Sequence, residues 1–206
     1  MINRAQLKAQ AKEQIRGKIG ILFIILVIAG AIISVGAVIP VIGTLAISVF
    51  AGPAFSLSIY LIFLKLYNNE SIEIGNIFDG FYRFWGAFKV LFFIGLFTFL
   101  WSLLFIIPGV IKAYSYSMAL YIYAENPEMG ALDAIKKSQE MMNGHKMDLF
   151  VLELSFIGWA LLSTITFGLV GIYVTPYMIA TFTNFYKTIS APSSATATPA
   201  EEPPIA

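Results

Sequence analysis

Between Lys18 and Lys65 the chain runs for 46 residues without a charge; Lys89 to Lys112 encloses 22 more, and Glu153 to Lys187 encloses 33. A helix rises about 1.5 Å per residue, so about 20 residues cross a hydrocarbon layer roughly 30 Å thick. The runs are membrane crossings by length, and the longer ones hold two each. Composition closes the alternative. The chain is 58% hydrophobic and 12% charged, with mean hydropathy +0.80, against about 25% charged residues in an average soluble domain. A water-soluble fold has no interior large enough for this apolar surface.

Glycines and prolines divide the runs into six predicted spans: 19–39, 45–66, 88–106, 109–124, 148–167 and 172–187. Gly36, Pro40 and Gly43 make the first turn, Ile107-Pro108-Gly109 the second, and Gly168 with Gly171 the third. Pro108 suits the first turn of a new helix. Pro53 is expected to kink the second span, where neighbouring helices can satisfy the freed carbonyl. The expected fold class is therefore all-α: a polytopic membrane protein with six transmembrane helices in three hairpins. Short cytoplasmic amphipathic helices join them.

Cations set the orientation. All of the 13 Lys and Arg residues except Lys112 fall in segments that six crossings place on one side. The positive-inside rule makes that side cytoplasmic, both termini included. The expected organisation is a basic N-terminal helix over 1–18, a membrane domain over 19–187 with cytoplasmic segments 67–87 and 125–147, and a disordered cytoplasmic tail over 188–206. The tail is rich in Ser, Ala, Thr and Pro and too poor in apolar residues to order itself. The run 19–39 exceeds the usual apolar core of a signal peptide, about 7–15 residues, so it reads as an uncleaved span.

Three cytoplasmic stretches carry helical patterns. Arg4, Lys8, Lys12 and Arg16 recur every fourth residue beside Leu7, Ala11 and Ile15, the layout of an interfacial helix on an anionic leaflet. Phe78, Phe81, Trp85 and Phe88 form an aromatic stripe before the third span, as an interfacial helix would. Over 130–143, Leu132, Ile135 and Met142 are expected to share a face, with Asp133–Lys137 and Lys136–Glu140 as i,i+4 pairs.

No catalytic set is legible. Cys is absent, which removes thiolate metal sites and a cysteine nucleophile. The single histidine, His145, lies beside Lys146 and cannot build a zinc site alone; it is kept as a candidate interface residue. Phosphate-cradling and nucleophile-elbow glycine motifs are missing. No metal and no cofactor are expected, and the chain reads as a non-enzyme. Five polar positions lie inside the predicted spans: Lys112, Tyr114, Ser117, Tyr121 and Glu153. Intramembrane charges are costly and by default suggest function. Yet Lys112 and Glu153 sit only about one turn inside opposite leaflets, some ~15 Å apart along the normal, so snorkelling explains them as well. Tyr114, Ser117 and Tyr121 share one helical face, which suits either interhelical hydrogen bonding or a polar path.

One long stretch resembles a known family. The run Ile106-Ile107-Pro108-Gly109-Val110-Ile111-Lys112-Ala113-Tyr114-Ser115-Tyr116-Ser117-Met118 is similar to the signature of domain of unknown function 975. Gly144-His145-Lys146, Leu154-Ser155-Phe156-Ile157-Gly158-Trp159 and Pro176-Tyr177 extend the likeness, as do Gly52-Pro53, Gly80-Phe81 and Phe84. The resemblance implies a six-helix integral membrane protein of bacteria, mostly of Gram-positive type. It brings no agreed activity, substrate or catalytic residue.

The expected role is a non-enzymatic accessory or envelope-homeostasis protein of the cell membrane. Membrane lipids are the expected partners, with other membrane proteins or a second copy as further candidates; nucleic acid is not among them, since the net charge is only +1. A small transporter with a polar path along the fourth span is the alternative, and a membrane enzyme acting on lipid headgroups the second alternative.

Overall fold

A computed structural model of the chain describes residues 2–35, 47–166 and 168–191. The first expected turn, with Gly36, Pro40 and Gly43, and the tail from 192 onward lie outside the described residues. Among those described, the regular structure is helical throughout. It comprises α1 (Arg4–Ile15), α2 (Ile19–Val35), α3 (Gly52–Tyr67), a 3₁₀ helix (Ile74–Arg83), α4 (Phe84–Leu104), α5 (Ile106–Tyr116), α6 (Ala119–Glu125), α7 (Ala131–Met141), α8 (Lys146–Leu154), α9 (Ile157–Ile165) and α10 (Gly171–Ser190).

Three helical stretches are long and apolar enough to cross a membrane: Val49–Tyr67, Ile74–Leu104 and Lys146–Ile165. A fourth joins them if α1 and α2, which meet at 90°, are taken as one broken span. The bend falls at Gly17, whose φ of 74° is the left-handed conformation that ends helices. The segments expected as spans four and six do not reach that standard, for physical reasons. The fourth breaks after Tyr116 into α5 and α6. The sixth, α10, carries Thr181, Thr183, Asn184 and Tyr186 in its second half, all buried against protein.

Burial is uneven along the helices. The cation-bearing end is densely packed: Leu7, Ala11 and Ile15 of α1, Ile62 and Leu66 of α3, Ala119 to Ala124 of α6, Ala134 and Ile135 of α7, and Phe185 of α10 are all buried. At the opposite end large apolar side chains stand free, reaching 78% exposure at Ile106 and 74% at Ile165. The apolar stripe of α1, expected to face lipid, instead packs on α10. The amide of Asn184 donates to the Leu7 carbonyl across that contact at 3.2 Å.

Pro53 falls inside the stretch Val49–Tyr67, at the junction of a π-helical turn and α3. It sits in the first turn of α3, where a missing N–H is harmless. A π-helical turn over Ile47–Ala51 leads into it. The aromatic stripe before the third span is not an independent flat helix. It begins in the 3₁₀ segment, which runs directly into α4 and crosses α3 at Gly80. That glycine's N–H donates to Ser58 Oγ at 2.8 Å, and Ser58 Oγ donates in turn to the Ala54 carbonyl at 3.0 Å. Phe55 of α3 receives the rings of Phe78 and Phe81, and Lys65 pairs with Asp79 at 3.2 Å.

On α7 the buried face is Ala134, Ile135 and Ser138, continued by Met142, while Leu132 is 51% exposed. Leu132 lies just off the arc that contacts α4, α5 and α6. Neither i,i+4 pair closes: among the described residues the ion pairs are Arg16–Glu13, Lys65–Asp79, His145–Asp148 and Lys187–Glu125. Ser138 has the specific task on this helix. Its Oγ donates to the Ser115 carbonyl at 2.8 Å and accepts from the Met118 N–H at 3.2 Å. It thereby satisfies the backbone on both sides of the α5–α6 break.

Two substitutions test this packing. Ser138→Ala leaves a buried N–H unpaired and is expected to cost about 1–3 kcal/mol. Gly80→Ala would bring a Cβ within 2.0 Å of the Ala54 carbonyl oxygen, and relieving that overlap is expected to cost about 1–3 kcal/mol. Thermal unfolding in a mild detergent should show both losses, with Gly75→Ala, which meets nothing within 4 Å, as the near-neutral control.

Candidate functional site

The five polar positions expected inside the spans, and His145, come to four separate environments. The α5–α6 break divides the face that Tyr114, Ser117 and Tyr121 were expected to share. Before the break, Tyr114 reaches across to α8 and donates its hydroxyl to Glu153 Oε2 at 2.5 Å. Ser117 closes the end of α5 by donating to the Tyr114 carbonyl at 2.8 Å. These three residues and Ala113 bound a recess of about 270 Å³.

After the break, Tyr121 points into the packed end. Its hydroxyl lies 3.3 Å from Thr183 Oγ1, and its ring stacks on Tyr186 at 4.9 Å and meets Tyr60 edge-on at 4.2 Å. It is buried and borders neither recess at Glu153. Tyr186 carries the network on by donating to Glu125 Oε2 at 2.6 Å, and Lys187 pairs with the same carboxylate. This is interhelical polar packing between α6 and α10.

Lys112 and Glu153 form no ion pair. The Lys112 ammonium stands over the Trp101 ring of α4, 4.8 Å from its centroid, a favourable contact for a cation leaving water. Glu153 meets α5 nonetheless, two residues further along at Tyr114, because the long phenol spans the gap between the helices. His145 precedes α8 at the cation-bearing end, with Nδ1 3.3 Å from Asp148 Oδ2. It stands apart from the recess around Glu153.

A second recess, of about 280 Å³, opens on the other side of Glu153. Phe156, Ile157 and Ala160 line it from the α8–α9 side, and Val174 and Met178 from α10. Phe156 stands in the sequence only as part of a family motif, with no site role read from it, yet it joins three elements: its ring meets Tyr177 of α10 at 5.4 Å, and Lys8 of α1 lies over it at 4.4 Å. Burial there, and then the neighbouring Lys12, push the pKa of Lys8 below its ordinary value. No spacing rule links residue 8 to residue 156. Ser138 belongs to the same family likeness, but as a lone hydroxyl in an otherwise charged helix it gave no hint of its bridging role.

The sequence profile of a family described as a protein of unknown function (DUF975) matches residues 1–115 and 103–193. The chain belongs to that family. The DUF975 match takes in every helix described above, and Tyr114, Ser117 and Glu153 with them. No curated protein and no solved structure matches the chain.

The Tyr114–Glu153 contact is testable through its coupling. Tyr114→Phe and Glu153→Gln should each weaken the α5–α8 contact, and the double variant should lose less than the sum. Interhelical bonds of this kind are worth about 0.6 kcal/mol and at most about 1.7. A double-mutant cycle on thermal unfolding reads that coupling directly; additive losses would mean that the two side chains do not meet.

Proposed function

We propose that this chain is a six-span protein of the cell membrane with both termini in the cytoplasm, acting without catalysis through lipids or other membrane proteins. The observation that carries the reading is the exposure gradient. Large apolar side chains around Ile106 and Ile165 face outward, while the cation-bearing ends of the helices form a dense core. Apolar surface of that extent suits lipid rather than water. The proposed spans present apolar side chains outward, Val110 and Ile111 of the fourth among them. The fourth and sixth are sheathed in protein along their polar stretches, which accounts for their lower hydropathy.

A second reading, passage or capture of a small solute, rests on one specific feature. Glu153 is a carboxylate inside a predicted span with recesses on both sides, and such groups by default suggest function.

Topology decides the first reading. The chain has no cysteine, so single cysteines can be introduced on a clean background. Ile106→Cys and Leu169→Cys are each expected to react with a membrane-impermeant thiol reagent from outside intact cells. Lys137→Cys is expected to react only after permeabilisation, and a reporter fused after Lys187 should be cytoplasmic.

A further inference from the structure

Glu153 has an electrostatic requirement that the described residues do not meet. Its one hydrogen-bond partner among the described residues is the neutral Tyr114 hydroxyl. Cations on adjoining elements are engaged elsewhere: Lys112 lies over Trp101, Lys8 over Phe156 and Lys12 over Tyr177, and Lys187 pairs with Glu125; none of them forms an ion pair with Glu153. A carboxylate facing hydrocarbon without a counter-charge is strongly disfavoured. The side chain is exposed and opens onto recesses of about 270 and 280 Å³. The surroundings suit a cation with an apolar body. Tyr114 is met edge-on by Phe150 at 6.1 Å, and aromatic faces attract poorly hydrated ammonium groups. Beyond Phe156 the lining is mostly apolar, with Ile157, Ala160, Val174 and Met178 interrupted by Ser163 and Thr175.

We propose that Glu153 and its flanking recesses bind an apolar cation, a molecule with one positive charge, a hydrocarbon body and no anionic group. Charge complementarity selects the occupant. A phospholipid headgroup would bring a phosphate beside the Glu153 carboxylate, adding a like charge where screening is weak. A free inorganic cation would leave the apolar lining unused. The proposal rests on the reading of α8 and α9 as membrane-embedded, and it deepens the solute reading by naming the chemical class.

The test is equilibrium dialysis of the full-length protein in dodecyl maltoside micelles, which carry no charge. Tetraphenylphosphonium and tetraphenylborate, alike in shape and opposite in sign, are titrated separately. Tetraphenylphosphonium is expected to bind saturably, and tetraphenylborate not at all. Glu153→Gln should weaken binding about tenfold or more, and Glu153→Asp less. Dodecyltrimethylammonium should displace the bound cation, whereas phosphatidylethanolamine should not. Equal binding of the two ions overturns the proposal without any variant. So does full affinity in a folded Glu153→Gln protein, and so does displacement by phosphatidylethanolamine, which would make the occupant a lipid headgroup. Cysteine accessibility separates the two failures. Loss of binding specificity with the six-span topology intact sinks the site alone; an inverted or incomplete topology sinks both.

Discussion

Helix α6 is buried along nearly its whole length. Ala119 through Ala124 have no exposed face, so the polar groups at its ends must be met by protein rather than by water. At its start the Met118 N–H goes to Ser138 of α7. At its end the Ala124 carbonyl accepts from Arg83 at 3.3 Å, and Glu125 takes Tyr186 and Lys187 of α10. Three elements, two of them distant in sequence, are thus tied to one short helix by the bonds it cannot make alone. The arrangement explains why α7, a charged segment between two apolar ones, is drawn into the bundle. Its serine completes a backbone ladder that would otherwise be left open in a low-dielectric interior.

The same demand explains which features were legible beforehand. Long uncharged runs, cation placement and the Pro108 turn are local or statistical properties, and each can be read without knowing neighbours. The Ser138 bridge, the Lys8–Phe156 contact and the α5–α6 break depend on partners tens to more than a hundred residues away. Tyr114, Ser117 and Tyr121 share a face only on an unbroken helix. The break rotates Tyr121 into the core and leaves the other two beside Glu153. For Pro53, the sequence placed the proline in the second span but could not show that a π-helical turn precedes it and that the α-helical part starts at Gly52, where a proline is preferred. For the α1 stripe, periodicity located the apolar face correctly but could not say whether lipid or α10 would cover it.

Charges within the bundle are handled in two ways. Two carboxylates of the packed end are paired: Asp79 with Lys65, and Glu125 with Lys187. Three cations instead rest on rings, Lys112 on Trp101, Lys8 on Phe156 and Lys12 on Tyr177. A ring partner costs less desolvation than a buried ion pair, whose attraction must first repay the removal of two charges from water. Glu153 has neither solution, since an aromatic face repels an anion and no described cation reaches it.

That asymmetry bears on how the recess could act. A carboxylate with a resident lysine partner would be electrostatically satisfied, and a ligand would have to displace that lysine to bind. Glu153 is held only by a phenol, which orients the carboxylate without neutralising it. The hydroxyl occupies one oxygen, leaving the other for whatever enters the recesses. Binding a cation there replaces no protein contact and removes an unfavourable charge from apolar surroundings. The gain is therefore available to any suitably shaped apolar cation. Selectivity among such cations would fall to the side chains around it, chiefly the spacing of Phe156, Ala160 and Val174 across the α9–α10 groove.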